Sequence, residues 1–322
     1  MHLRPLGRTG LEISEIGYGA WGIGQSMWIG AEDADSLRAL ERAIDLGLNF
    51  IDTALAYGDG HSEELVGQVV RGRAETVYVA SKVPPKNMRW PASPEDHVDA
   101  AFPGDHIRTC TETSLRNLGL ERIDVQQLHV WHDDWLDQGD WYETAEALKQ
   151  EGKIGAFGVS INDHEPGTAL ALVRSGRVDT VQVIYNVFDQ APEDELFPAC
   201  AEHGVGVLAR VPFDEGGLTG RIGADTTFPD GDFRDDYFRG DRRREVGERV
   251  AAIAADLGVA VEDVPEAALR YILSAPEVST VIPGMRSVRN VERNIAAGDG
   301  RGLPAEQVAT LKQHRWIRNW YR

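Results

Sequence analysis

The sequence predicts an α/β fold, a closed (β/α)8 barrel of the TIM type forming a single domain over residues 1–322. Three observations lead there. Short β-branched runs alternate with stretches of helical spacing along the whole chain. No Pro/Ser-rich linker divides it into two parts. The two long interruptions of that rhythm, 84–104 and 214–242, each follow a strand, on the rim where the loops of a barrel build active sites. An open doubly wound sheet is the alternative assembly of the same units.

In order along the chain, Gly7-Arg-Thr-Gly10 first reads as the turn of an opening hairpin. Strands are expected at 16–19, 49–52, 77–82, 123–128, 156–160, 180–184, 206–209 and 280–282, where runs such as Thr180-Val-Gln-Val-Ile184 favour a pleated, buried conformation. Helices are expected at 35–46, 62–70, 105–118, 141–150, 165–174, 194–203 and 244–257, with apolar residues recurring every three or four positions. Further helices begin near Pro265, Ser287 and Pro304, Ser287 being a suitable N-cap. The long interruptions become extended βα loops after the third and seventh strands.

Composition narrows the function. With 52 acidic against 33 basic residues the formal charge is −19, which disfavours nucleic acid and anionic membrane as partners. An anionic ligand would need a local positive site to overcome that field. No apolar run is long enough to span a bilayer and no signal peptide is evident at the start, so a cytoplasmic protein is expected. Cys110 and Cys200 fall in helical stretches, which argues against a disulfide and for a reducing compartment. A monomer is the default expectation.

Gly17-Tyr-Gly19-Ala-Trp-Gly22 matches the dinucleotide-binding pattern G-x-G-x-x-G, yet no helix opens after it as that pattern requires. His129-Val-Trp-His132-Asp-Asp134 offers potential zinc ligands, but no further ligand cluster accompanies it and no metal is expected.

The chemistry concentrates at three strand ends. Asp52, Lys82 and His129 close successive strands, and Tyr57 follows Asp52 on a short glycine-bearing loop. Parallel strands bring all four to one barrel mouth. A phenol holds its proton too tightly for easy transfer at neutral pH, and a neighbouring ammonium lowers that barrier. Asp52 would keep Lys82 charged and oriented, while His129 would hydrogen-bond a substrate oxygen. The set suits protonation of an oxygen while a hydride reaches its carbon. Each residue also has an ordinary structural role open to it, from turn capping to loop packing.

These motifs, with Leu6-Gly-Arg-Thr-Gly-Leu11 and Ile16-Gly-Tyr-Gly-Ala-Trp21-Gly, resemble the aldo-keto reductases over nearly the whole chain. The resemblance implies a tetrad of Tyr57, Lys82, Asp52 and His129, with Tyr57 as acid, and NAD(P)H-dependent reduction of a small-molecule carbonyl or sugar, or the reverse oxidation. It implies a nicotinamide site from Trp21, Ser160, Asn162 and Gln182, although Ile161 separates the Ser and Asn that members carry side by side. Arg210 stands where members often stack an aromatic on the nicotinamide, and a guanidinium plane can also stack. The resemblance further implies that Leu218, Gly220 and Arg221 belong to a loop that folds over the pyrophosphate and that Pro212 also binds the cofactor. Gly284, Arg286, Asn290 and Asn294 would bind the adenosine phosphate at a helix N-terminus. A bidentate Arg286 favours NADP(H), with NAD(H) possible. Trp21, Trp28, Trp90, Trp131 and Phe213 are expected around the substrate pocket. The alternative functions are an NADPH-binding sensor or regulatory subunit on the same fold and a metal-dependent barrel hydrolase.

Overall fold

An antiparallel hairpin, β1 (Leu3–Pro5) and β2 (Glu12–Ser14), opens the computed structural model, which describes residues 1–321. Eight parallel strands follow: β3 (Tyr18–Gly19), β4 (Phe50–Asp52), β5 (Tyr78–Val83), β6 (Ile123–Leu128), β7 (Ile154–Ser160), β8 (Thr180–Ile184), β9 (Gly206–Arg210) and β10 (Val278–Val281), each beside its predecessor. The sheet closes into a barrel because the first strand also bonds the last. Gly17 N–H donates to Val281 O at 2.8 Å, Gly19 N–H to Pro283 O at 3.0 Å, and Val281 N–H to Glu15 O at 3.0 Å.

The glycines of the dinucleotide-like pattern serve this closure. A Cβ on Gly19 would lie 2.6 Å from Ile282 O, and one on Gly17 would meet Ile282 and Phe50 at 3.0–3.1 Å. Only a single 3-10 turn, Trp21–Ile23, follows them, and α1 (Asp33–Asp45) begins ten residues later. At the other end the hairpin plugs the barrel floor. Leu6 is fully buried with Phe50, Ala80, Val125, Ala156 and Leu208 in the barrel interior. Gly7, in a left-handed conformation (φ 51°), abuts Gly206 so closely that no side chain fits.

The helices are α2 (His61–Val70), α3 (Val98–Ala101), α4 (Gly104–Leu118), α5 (Trp141–Gln150), α6 (Leu170–Ser175), α7 (Leu196–His203), α8 (Phe233–Tyr237), α9 (Arg242–Leu257), α10 (Val264–Leu273), α11 (Val288–Ile295) and α12 (Ala305–Lys312). Outward strand residues such as Val79, Phe157 and Val181 are buried in one cluster with Leu40, Val66, Leu172 and Ile272 from the helices. The helix expected at 165–174 is split into a 3-10 turn, Pro166–Ala169, and α6, because Pro166 and Gly167 follow His164 in a left-handed conformation. The long segments after β5 and β9 contain α3 and α8, too short to show a helical period in sequence. No helix among the described residues is long and apolar enough to cross a membrane.

Candidate active site

Inward-facing positions of β4, β5 and β6 place Asp52, Lys82 and Gln127 in one layer, with Gln182 of β8 across from them. The Lys82 ammonium donates to Asp52 Oδ2 at 2.6 Å, to the Thr53 carbonyl at 2.8 Å and to Tyr57 Oη at 3.1 Å. Gln182 and Gln127 donate to Asp52 Oδ1 at 2.7 and 3.3 Å. Burial works to lower the Lys82 pKa, but the Asp52 carboxylate and Tyr57 outweigh it and hold the pKa above the ordinary value.

Tyr57 is delivered by a tight turn, its N–H bonded to Ala54 O at 3.0 Å. Gly58 (φ 68°) then passes against Gly24, whose carbonyl would stand 2.0 Å from any Cβ there. Burial raises the Tyr57 pKa, and Lys82 pulls it down only in part. The phenol therefore keeps its proton at neutral pH, and the ammonium moderates that pKa without setting it. His129 follows β6, its ring edge-on to Tyr57 at 5.7 Å and to Trp90 at 5.9 Å. Burial, then Lys82 and Arg210, keep its pKa well below the ordinary range, so the imidazole is neutral.

One cleft of about 1260 Å³ runs from Asp52, Tyr57 and His129, with Lys82 buried behind them, to α11. Trp21, Trp28, Trp90, Phe213, Ser160, Asn162, Gln182, Arg210, Pro212, Arg221, Gly284, Arg286, Asn290 and Asn294 all border it. Arg286 lies over Gly22, where a Cβ would come within 2.8 Å of its side chain. It donates to Ile29 O at 3.1 Å and, among the described residues, pairs with no carboxylate. Ser287 accepts from Asn290 N–H and caps α11, on which Asn290 and Asn294 lie one turn apart. Arg286, Arg289 and Arg293 at this end outnumber Glu292 of α11 and supply the local positive site that a net charge of −19 demands of an anion binder.

Several expected residues do other work. Trp131 is fully buried away from the cleft, between Trp135 and Trp141, with its indole N–H on Asp133 at 3.1 Å. Asn162 borders the cleft, but its amide both donates to and accepts from the backbone of Ala92, at 3.0 and 2.9 Å. With Ile161 displacing it by one step, it clamps the long loop after β5. Leu218 turns into the core, and Gly220 (φ 70°) packs under Val261; Gly216, Thr219 and Arg221 border the cleft in their place. His132 Nδ1 accepts the Asp134 N–H in a capping turn. Arg210 reaches the cleft while bonding Asp163 at 2.7 Å and Ile161 O at 2.9 Å.

Sequence reasoning missed Gln127, Asp163, Glu215, Phe233 and Tyr321. Gln127 carried a signal, since it shares strand parity with His129. Asp163 lies in the turn just after β7, and Glu215, Phe233 and Tyr321 lie in the segment after β9 and the final residues of the described chain, where periodicity is silent.

The chain belongs to the aldo/keto reductase family, whose model matches residues 15–315. It is 31% identical over 319 residues to the Bacillus subtilis oxidoreductase YqkF, covering 98% of this chain and 96% of that protein. It is 27% identical to the NADH-specific methylglyoxal reductase of Escherichia coli, over 91% of this chain and 92% of that one. Among solved structures, an aldo/keto reductase from Klebsiella pneumoniae in complex with NADP and acetate superposes with a TM-score of 0.71 at 29% identity, over 99% and 98% of the two chains. The protein is thus an oxidoreductase of this family on a (β/α)8 fold.

Proposed function

We propose that the protein reduces the carbonyl group of a small molecule at the expense of NADPH, with Tyr57 as the proton donor. The bond between the Lys82 ammonium and Tyr57 Oη, anchored by Asp52, is the observation that carries this reading.

The cleft fits a dinucleotide: it is long, it joins the proton-handling residues to a capped helix terminus, and Arg286 is left without an acidic partner. Ser160 and Gln182 would hold the carboxamide, and Trp21, Pro212 and Arg210 would flank the nicotinamide. Thr219 and Arg221 would meet the pyrophosphate, and Gly284, Arg286, Asn290 and Asn294 the adenosine phosphate. When bound, the cofactor supplies the hydride. His129, neutral, donates a hydrogen bond that fixes the carbonyl oxygen beside Tyr57. Tyr57 passes its proton to that oxygen, and Lys82, kept charged by Asp52, stabilises the phenolate left behind. In oxidation the same residues act in reverse. The tetrad sits in a cytoplasmic protein on this reading.

The test is the loss of absorbance at 340 nm with purified protein, NADPH or NADH, and a panel of aldehydes, ketones and sugars. Carbonyl-dependent loss, faster with NADPH, is the expected result. NADPH binding without turnover of any carbonyl would instead support a sensor subunit.

A further inference from the structure

We infer that Glu215, held by Tyr321, is a specificity-determining residue of the cleft that accepts a hydrogen bond from a hydroxyl group on the substrate. This rests on the reductase reading above and adds to it a residue that the proton chemistry does not use.

Glu215 borders the cleft at 6% exposure. The backbone that puts it there is strained: Val211, Asp214 and Glu215 have φ of 56°, 50° and 54°, in the left-handed region that non-glycine residues avoid. Three such residues within five persist only where surrounding structure enforces them, and they cluster at ligand-binding sites. Its Oε1 accepts from the Tyr321 hydroxyl, and among the described residues no hydrogen bond engages Oε2. The cations close by are already spent. Arg210 bonds Asp163 and the Ile161 carbonyl, and Arg318 bonds Asp214, which also accepts from Tyr237 at 3.0 Å. Glu215 is therefore a buried acid with no counter-ion and with acceptor capacity to spare. Burial pushes its carboxyl up to about 7, with the Tyr321 bond and Arg210 opposing that rise and Asp214 and Asp163 adding to it.

The surroundings choose the ligand. A cationic group would face Arg210, and an anionic group would face Asp163, Asp214 and Glu215 itself. A neutral hydroxyl meets neither objection and satisfies the open carboxylate oxygen. Tyr321, stacked on Phe233 at 5.9 Å with Phe233 against Trp21 at 5.6 Å, forms an aromatic arch from Glu215 toward the tetrad. The carbon face of a hydroxylated carbonyl compound packs against such rings while its hydroxyl reaches the acid.

The test compares kcat/KM for glyceraldehyde and for propanal, an aldehyde of the same chain length without hydroxyls, with NADPH. In Glu215→Leu the glyceraldehyde-to-propanal ratio should fall about tenfold, since a site left without its acceptor loses the substrate hydroxyl. Glu215→Met, of similar length and without a strong acceptor, serves if Leu does not fold and should lower the ratio in the same direction. A ratio within about twofold of wild type in Glu215→Leu and Glu215→Met, with both aldehydes equally impaired, would overturn the inference and leave Glu215 a structural acid. Wild-type turnover of propanal establishes the reductase independently of that result. Turnover of neither aldehyde would count against the reductase reading, and this inference would fall with it.

Discussion

Lys82 and Asp52 are a fully buried ion pair whose cost is offset only because each is also hydrogen-bonded, Lys82 to Thr53 O and Tyr57, Asp52 to Gln127 and Gln182. Removing one charge leaves the other unpaired in the barrel. Asp52→Asn is expected to lower stability by about 3–5 kcal/mol, read as a shift in the urea unfolding midpoint. Glu215 gives the opposite sign. Its carboxyl titrates near 7 when folded against an ordinary 4.5, so the folded state binds the proton more tightly. That advantage is complete below about 4.5, declines as pH rises, and is gone above about 7. Glu215→Gln should therefore match wild-type stability in acid and exceed it by on the order of 2–3 kcal/mol in mild alkali. Thermal melts across that range would show the two curves diverging; parallel curves would mean the acid is not destabilised by burial.

At the scale of elements, the strands are rigid posts and the loops decide what they carry. Asn162 ties the loop after β5 to the end of β7 through both backbone groups of Ala92. Asn162→Ala leaves a buried N–H and C=O unpaired, at about 1–3 kcal/mol each. Faster proteolysis within 84–104 and a raised KM for the carbonyl substrate should follow, because Trp90 on that loop borders the cleft and packs on His129. The convergence of Asp52, Lys82 and His129 was legible in the sequence because a strand's two-residue alternation fixes which side chains face inward and its end fixes their height, while Tyr57 was read from the short loop that follows β4. The strands β6 and β8 and the helix α5 fell where periodicity placed them. Trp131 was misplaced because it lies just past a strand, where a local turn redirects the side chain into the core. Glu215 and Tyr321 meet across more than a hundred residues, and no local pattern encodes such a contact.

Over the whole molecule, barrel closure between β3 and β10 brings the Gly17–Gly22 stretch beside Arg286, which completes the cleft. The strongly acidic surface makes that basic end decisive for an anionic cofactor. Arg286→Ala should weaken NADPH binding by roughly 10–100-fold and NADH binding far less, as read by fluorescence titration. Equal losses would mean that Arg286 does not contact a 2′-phosphate. Tyr57→Phe, which removes one hydroxyl from the Lys82 network, decides whether Tyr57 is the proton donor. The expected result is loss of carbonyl-dependent NADPH oxidation with NADPH binding retained in the same preparation. Wild-type turnover in Tyr57→Phe would contradict the assignment of Tyr57 as the acid.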